Sequence, residues 1–422
     1  MANRLLFPFP EVAVAASDTQ NSDRTLSRRR FVRSTVERAA VGASVGVVAC
    51  GLGAFVAACG KRARNASAKV VLYVSVDDAI AREAVARCTE ATGIEIECVF
   101  DTEATKTTGL ENRLRAERNR PRADIFWSSE AFATARLARD GVLAQFPSTL
   151  DALVSTWPTQ WRDQSQRWLA FAARARVVVT RTDASPPWRA IRTWADLAAP
   201  DLWQNATTNT ADAKRIAIAD PRFGTTRGHL AALADAWARA RAQGNTDAPL
   251  FEAWIDGLRS NGVRVLPGGN AATVEAVASG ECAYGLTDTD DALAAIARGL
   301  PLALCLPRTL AEGNTGGGTM LVPNTVGLVA GRDIHAGVLD VLRWILSPSC
   351  ETLLCHSASR NLPIGPARGE IACDCGFAEF DPLTFDVNAV AIGAQDLAAR
   401  AYARLTANSI TSTHDRVDEV DV

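Results

Sequence analysis

From Lys69 onward the chain alternates between two spacings of apolar residues. Short β-branched runs, Val70–Val76 (VVLYVSV), Ile94–Phe100 and Ala123–Trp127, are apolar over most of their length and predict buried strands. Between them, apolar positions recur at helical spacing over Asp78–Thr92, Gly109–Arg118 and Glu130–Arg139, with Gly93 and Gly141 placed as C-terminal stops. Strand–helix–strand alternation with short loops predicts a parallel sheet covered on both faces. Such sheets bind ligands at the carboxyl ends of their strands. That puts Ser75–Asp78, Asp101–Thr108 and Ser128–Glu130 on one rim.

A second block of the same kind runs from about Val177 to Cys305. Its strands are predicted near Val177–Thr180, Arg215–Ile218, Val263–Leu266, Tyr284–Thr287 and Leu302–Leu306. Its helices are predicted near Thr226–Ala242, Pro249–Ser260, Ala271–Ser279 and Asp291–Arg298. Leu321–Val329 and a helix over Gly337–Leu346 read as a return to the first sheet. One helical stretch, Val387–Ala407, then precedes an acidic end.

Residues 1–68 break this pattern. Ser27-Arg28-Arg29-Arg30-Phe31-Val32-Arg33 resembles a twin-arginine export signal. A weakly apolar run, Ala39–Ala58, follows and ends in Val56-Ala57-Ala58-Cys59-Gly60, which resembles a lipobox with Cys59 as the lipidated residue. Cys50 closes a second, weaker match. The alternative is one transmembrane helix, for which the run is long enough but poor in large apolar residues.

Composition narrows the function classes. The 422 residues are 48% hydrophobic, enough for large cores, and the formal net charge of −2 excludes a strongly basic nucleic-acid binder. Of the ten cysteines no two form a CxxC pair; Cys350, Cys355, Cys373 and Cys375 make the one dense cluster, open to a disulfide or to simple burial. The four histidines are dispersed, without zinc spacing. No Walker A and no G-x-S-x-G elbow occurs, so an enzyme is not expected.

A series of segments in order carries a family resemblance: VVLYVSVDD, TGIEIECVFDTEATKTTGLENRL, RADIFWSSE with DGVLAQF, RIAIADPRFGTTRGHLAAL, NGVRVLPGGNAATVEAVASGE, YGLTDTDDALAA, LVPNTVGLV and WILSPSCETLL. Over roughly residues 69–370 the chain resembles the ferric-iron branch of bacterial extracellular solute-binding proteins of ABC transporters. The resemblance implies an α/β, two-lobed type II periplasmic-binding fold, each lobe a mostly parallel mixed sheet with helices on both faces. It implies lobe 1 at 69–171, lobe 2 at 172–319, a return to lobe 1 at 320–376 and a C-terminal tail, 377–422, on lobe 2. It further implies an exported protein of the periplasm or cell surface, working with permease subunits and the membrane, and no nucleic acid.

The same resemblance nominates site residues. Asp77 stands where iron-binding members often carry a histidine, Glu130 lies close to a metal-binding glutamate, and Asp290 and Asp291 replace two adjacent tyrosines. The only tyrosines are Tyr73, Tyr284 and Tyr402, so a phenolate ferric site is excluded. Asn270 aligns with an asparagine that holds the synergistic anion in those relatives.

Two walls are expected. Asp77, Glu130, Asp288, Asp290 and Asp291 form an acidic wall suited to Fe³⁺ or another hard metal ion, or to an amine. Each of these acids could instead cap a helix. Thr107, Gly224, Thr225, Thr226 and Asn270 form an anion wall, from strand-to-helix loops in which glycine admits close approach and helix amides meet oxyanions. The expected ligand is a metal with its anion; a small phosphorylated, zwitterionic or amine-bearing organic solute is the alternative. A metal-dependent hydrolase at Asp288–Asp291 is a distant third.

Overall fold

The computed structural model describes residues 69–76, 78–101, 108–183, 191–203, 215–314, 316–373 and 381–407. The export segment with Cys59, and the site candidates Asp77 and Thr107, lie outside them.

The first lobe follows the sequence pattern closely. β1 (Val70–Val74), α1 (Asp78–Thr92), β2 (Ile96–Phe100), α2 (Thr108–Ala116), β3 (Ile125–Ser128) and α3 (Ala131–Arg139) alternate as expected. β1 lies between β2 and β3 and is parallel to both. α1 stops before Gly93, whose φ of +69° is the left-handed turn its sequence position demanded.

A short helix, α4 (Asp151–Thr156), leads to β4 (Leu169–Arg181), far longer than the four-residue strand expected there. The run LAFAARARVVV has no breaker, so the crossover between lobes is strand rather than loop. β5 (Ile216–Ala219), α5 (Gly224–Ala242), α6 (Phe251–Ser260), β6 (Val263–Leu266), α7 (Gly269–Ala278), β7 (Tyr284–Asp288), α8 (Thr289–Ala297) and β8 (Leu302–Cys305) build the second lobe. β9 (Leu321–Leu328) returns, and α9 (Ala336–Ile345) and α10 (Pro348–His356) pack beside α1. α10 was not anticipated as a helix, although Ser347 caps it and Pro348 stands in its first turn.

The strand order is β2-β1-β3-β9-β4-β7-β5-β6, with β8 also on β4. β9 is antiparallel to β3 and β4, and β4 is antiparallel to β7 and β8; β5 is parallel to β6 and β7. The fold is thus the two-lobed, mixed α/β type II arrangement, with β4 running from its pairing with β9 in the first lobe to its pairing with β7 and β8 in the second. In the second lobe neighbouring residues of β4 enter opposite cores: Val178 packs with Trp194, Ile218 and Trp237, Val179 with Val274 and Val277.

The expected C-terminal helix is two: α11 (Val387–Ala391) and α12 (Ala394–Thr406), broken at Gly393, whose φ is +74°. α12 lies on α5 and α6, whereas α11 also reaches α3 of the first lobe. Within the cysteine cluster the bridge is Cys355–Cys373, while Cys350 is a buried free thiol. Among the described residues no helix is long and apolar enough to cross a membrane.

Candidate functional site

A cavity of about 410 Å³ opens where the strand ends of both lobes meet the crossover. Val76 and Ser129 face it from the first lobe, Arg174 from β4, and Thr226, Asn270 and Asp290 from the second lobe. The loops before α5 and α7 turn through Gly224 (φ +50°) and Gly269 (φ +74°), a conformation glycine adopts without a Cβ penalty. Neither Phe223 nor Gly268 caps the following helix with a side chain. The first turns of both helices line the cavity and receive no side-chain cap from these residues.

Asp288, at the end of β7, is fully buried. One of its oxygens accepts from Arg176 Nη1 (2.6 Å); the other accepts from Arg174 Nε (2.9 Å), Thr225 Oγ1 (3.0 Å) and Asn270 Nδ2 (2.8 Å). Burial alone would push its pKa up; Arg176 and then Arg174 outweigh that and hold it at about 2. Asp288 is therefore an anion already saturated by protein donors, and not a vacant ligand. The donors expected of Thr225 and Asn270 for an incoming anion are likewise committed: Asn270 Nδ2 also donates to Thr225 Oγ1 (3.0 Å), and its Oδ1 accepts from Arg176 Nη1 (3.2 Å).

Glu130 is also corrected. It is the N-cap of α3, its carboxylate accepting from the amides of Phe132 (2.5 Å) and Ala133 (3.0 Å), and it does not line the cavity. Desolvation raises its pKa, against the pull of Arg136 and Arg227. Asp290 and Asp291 do line the cavity, in the first turn of α8. Asp290 Oδ1 accepts from the Asp291 amide (3.0 Å), and its other oxygen lies 3.5 Å from Arg174 Nε. Oxygens of Asp288, Asp290 and Asp291 come within 4.8 Å of one another. Gly224 and Thr226 line the same cavity.

Arg174 and Arg176 were not among the expected site residues. Their signal was in plain view: two arginines at i and i+2, hence on one face, inside the otherwise apolar stretch Leu169–Val179 of β4. A buried guanidinium needs a buried carboxylate, and Asp288 is that partner. Arg174 touches both lobes, donating Nε to Asp288 and Nη1 to the Ser129 carbonyl (2.6 Å), and still borders the cavity. Trp127, at the end of β3, is fully buried; its Nε1 donates to Asn324 Oδ1 (3.2 Å) and its ring packs on Phe171.

Residues 83–351 match the family model for bacterial extracellular solute-binding proteins. Among solved structures, the apo ferric ion-binding protein A of Pasteurella haemolytica superposes with a TM-score of 0.64 at 17% identity, covering 81% of this chain and 99% of that one. A Trichodesmium protein in complex with iron and citrate gives 0.61 at 21%, covering 80% and 99%. The periplasmic binding protein AfuA of Actinobacillus pleuropneumoniae, with fructose-6-phosphate bound, gives 0.59 at 15%, covering 80% and 98%.

Proposed function

Because the chain belongs to the bacterial extracellular solute-binding proteins, a family of capture proteins and not of enzymes, we propose that it is the lipid-anchored capture subunit of an ABC importer. It takes a small charged solute into the cleft between a first lobe (69–171 with 320–376) and a second (172–319), and hands it to a membrane permease. The observation that carries this reading is a cavity of about 410 Å³ at the strand ends, bordered by Asp290, Asp291, Arg174 and the first turn of α5. That size suits a small organic molecule.

The ligand we favour is organic and carries charge. Hard cations seek six or more oxygen ligands. Here Asp288 is saturated by two arginines, and an ion at Asp290 would sit beside the Arg174 guanidinium. The sugar phosphate held by AfuA is a precedent on this fold. A second reading, Fe³⁺ or another hard ion with a synergistic anion, draws on the close approach of the Asp288, Asp290 and Asp291 oxygens and on the iron and citrate of the Trichodesmium relative.

Export and anchoring rest on the twin-arginine and lipobox resemblances of the N-terminal segment, with Cys59 carrying the lipid. Native mass spectrometry of the protein purified from its own envelope is the deciding measurement. An organic mass of a few hundred daltons or less is expected. A ferric ion with its anion would install the second reading, and protein that comes out empty and stays so with envelope extract would defeat the capture role.

A further inference from the structure

Among the described residues three large apolar side chains stand exposed, Phe223, Leu250 and Ile392, and of these only Phe223 borders the cavity. A single exposed apolar residue on an open surface needs no explanation. One on the wall of a cleft is different, because such groups are what ligand sites are lined with. Phe223 is 46% exposed and joins none of the hydrophobic cores. It also holds the N-cap position of α5, where a serine, threonine, aspartate or asparagine would bond the first amides. Neither core packing nor helix capping accounts for the ring.

The backbone that carries Phe223 is pinned. Its amide donates to the Asp220 carbonyl (3.2 Å), and the Arg222 amide donates to Asp220 Oδ1 (3.0 Å). The Arg222 side chain is clamped to the same carboxylate through Nε (3.0 Å) and Nη2 (2.6 Å). Its guanidinium lies over the Tyr402 ring of α12 at 3.7 Å and over the Phe223 ring at 5.6 Å. A cation therefore already uses the Phe223 ring, and a second one placed on it would meet repulsion, whereas an uncharged flat face would not. The first lobe brings apolar groups to the same cavity, Val76, Ala79 and Ile80, and the second adds Pro267 and Val274.

Resting on the capture reading above, we propose that Phe223 is the stacking platform of the cleft, and that the captured solute carries a ring whose flat face lies on it. Aromatic rings and the C–H faces of pyranoses share that face chemistry. Stacking takes from water an apolar area that Phe223 now exposes, and adds the geometric preference of ring on ring. A metal ion or an open-chain acid has no flat face to offer. A quaternary ammonium head would meet Arg222. The charged groups of the cavity respond to the solute's polar substituents, and Phe223 responds to its shape.

The test uses the protein purified from its own envelope, emptied by mild denaturation and refolding, and dialysed against solutes paired by charge. The pairs are benzoate with hexanoate, phenylalanine with leucine, and glucose 6-phosphate with sorbitol 6-phosphate; choline and ferric citrate complete the panel. Native mass spectrometry reads what is retained. The wild type is expected to retain a ring-bearing member over its open-chain partner, and the pair in which it does so separates an aromatic from a sugar ring. Phe223→Ala is expected to weaken that uptake about tenfold and to erase the preference for the ring. Phe223→Leu, which keeps apolar bulk without a flat face, should stay weak, and Phe223→Trp should restore binding. A purely structural role would not produce that order among variants of equal melting temperature. Ring and open chain held alike by the wild type, or a ring held equally well by Phe223→Leu, overturns the proposal; Phe223 then serves as an apolar contact for the first lobe on closure. Retention of choline or ferric ion in place of a ring overturns it too. All of these results leave the capture role standing. A wild type that retains nothing from the panel defeats the proposal, and the envelope measurement then decides the capture role separately.

Discussion

At the residue scale the cleft floor is a problem of buried charge. Arg174, Arg176 and Asp288 are all withdrawn from water, and the lone carboxylate serves both guanidiniums. Arg176 Nε and Nη2 meet no acceptor, and His229, one helical turn into α5, has neither ring nitrogen partnered. His229 stands edge-on to Trp194, ring centroids 4.3 Å apart, fully buried and within the field of Arg176. Burial first, and Arg176 second, push its pKa well below 6.5. The folded chain then keeps a neutral imidazole where the unfolded chain takes up a proton. Stability from this group is therefore fully present above pH 6.5 and falls as pH drops below it, by about 1.4 kcal/mol per pH unit, until the folded imidazole itself protonates. His229→Phe keeps the ring against Trp194 and removes the titration. The difference in melting temperature between wild type and His229→Phe should grow in the variant's favour from about pH 6.5 down to about pH 5; parallel curves would show that His229 is already protonated or hydrogen-bonded in the folded protein.

At the element scale, what the sequence made legible was whatever had an abrupt local signature. VVLYV is an unbroken apolar run, IECVF is apolar but for Glu97, and Gly93 and Gly141 stop their helices, so β1 to α3 fall close to where periodicity put them. β4 was cut short because its arginines look like a surface interruption until their partner, 112 and 114 residues away, is known. α11 and α12 were merged because Gly393 reads as a tolerated helix glycine in isolation, whereas contacts with α3 and α6 demand a turn there. The site was half legible for the same reason. Asp290 and Asp291 were nominated by the family resemblance and Gly224 and Thr226 by the make-up of a strand-to-helix loop, and all four border the cavity; the commitment of Asp288, Thr225 and Asn270 to one another depends on three separate elements meeting. Asp290 and Asp291 occupy the first turn of α8, where the helix dipole favours them, Asp290 accepts an amide, and Arg174 is near. Replacing both by asparagine should thus lower the melting temperature of the empty protein modestly, by about 1 kcal/mol in stability, while removing most solute affinity. Calorimetry of empty and loaded protein separates the two effects, and a rise in the empty protein's melting temperature would mean that acid–acid repulsion dominates.

At the scale of the whole molecule the question is where the two lobes can move. β4 pairs with β9 through Ala175↔Leu321 and with β7 from Arg176↔Asp288, so it changes partner between Ala175 and Arg176. On the first-lobe side the strand is pinned. Ala172 sits in a bulge at φ +43°; its amide donates to buried Glu351 (2.9 Å), its carbonyl accepts from Asn324 (2.8 Å), and Glu351 also accepts from Ile364 and Gly365. Ala173 is held by Leu362 on both its amide and its carbonyl. Bending is therefore expected at Ala175–Arg176 and Met320–Leu321, just beyond that clamp, rather than within it. Arg174 and Arg176 flank this point and both end on Asp288, and Arg174 borders the cavity, so the cavity lies at the hinge itself. Closing the lobes on a solute should reduce the radius of gyration in small-angle scattering, and Glu351→Gln, which weakens the clamp without touching the cavity side chains of the second lobe, should leave binding in place but broaden the range of radii of the empty protein. If the radius stays unchanged with the cleft demonstrably full, the partner change in β4 is rigid, and solute recognition proceeds in a preformed cleft without lobe movement.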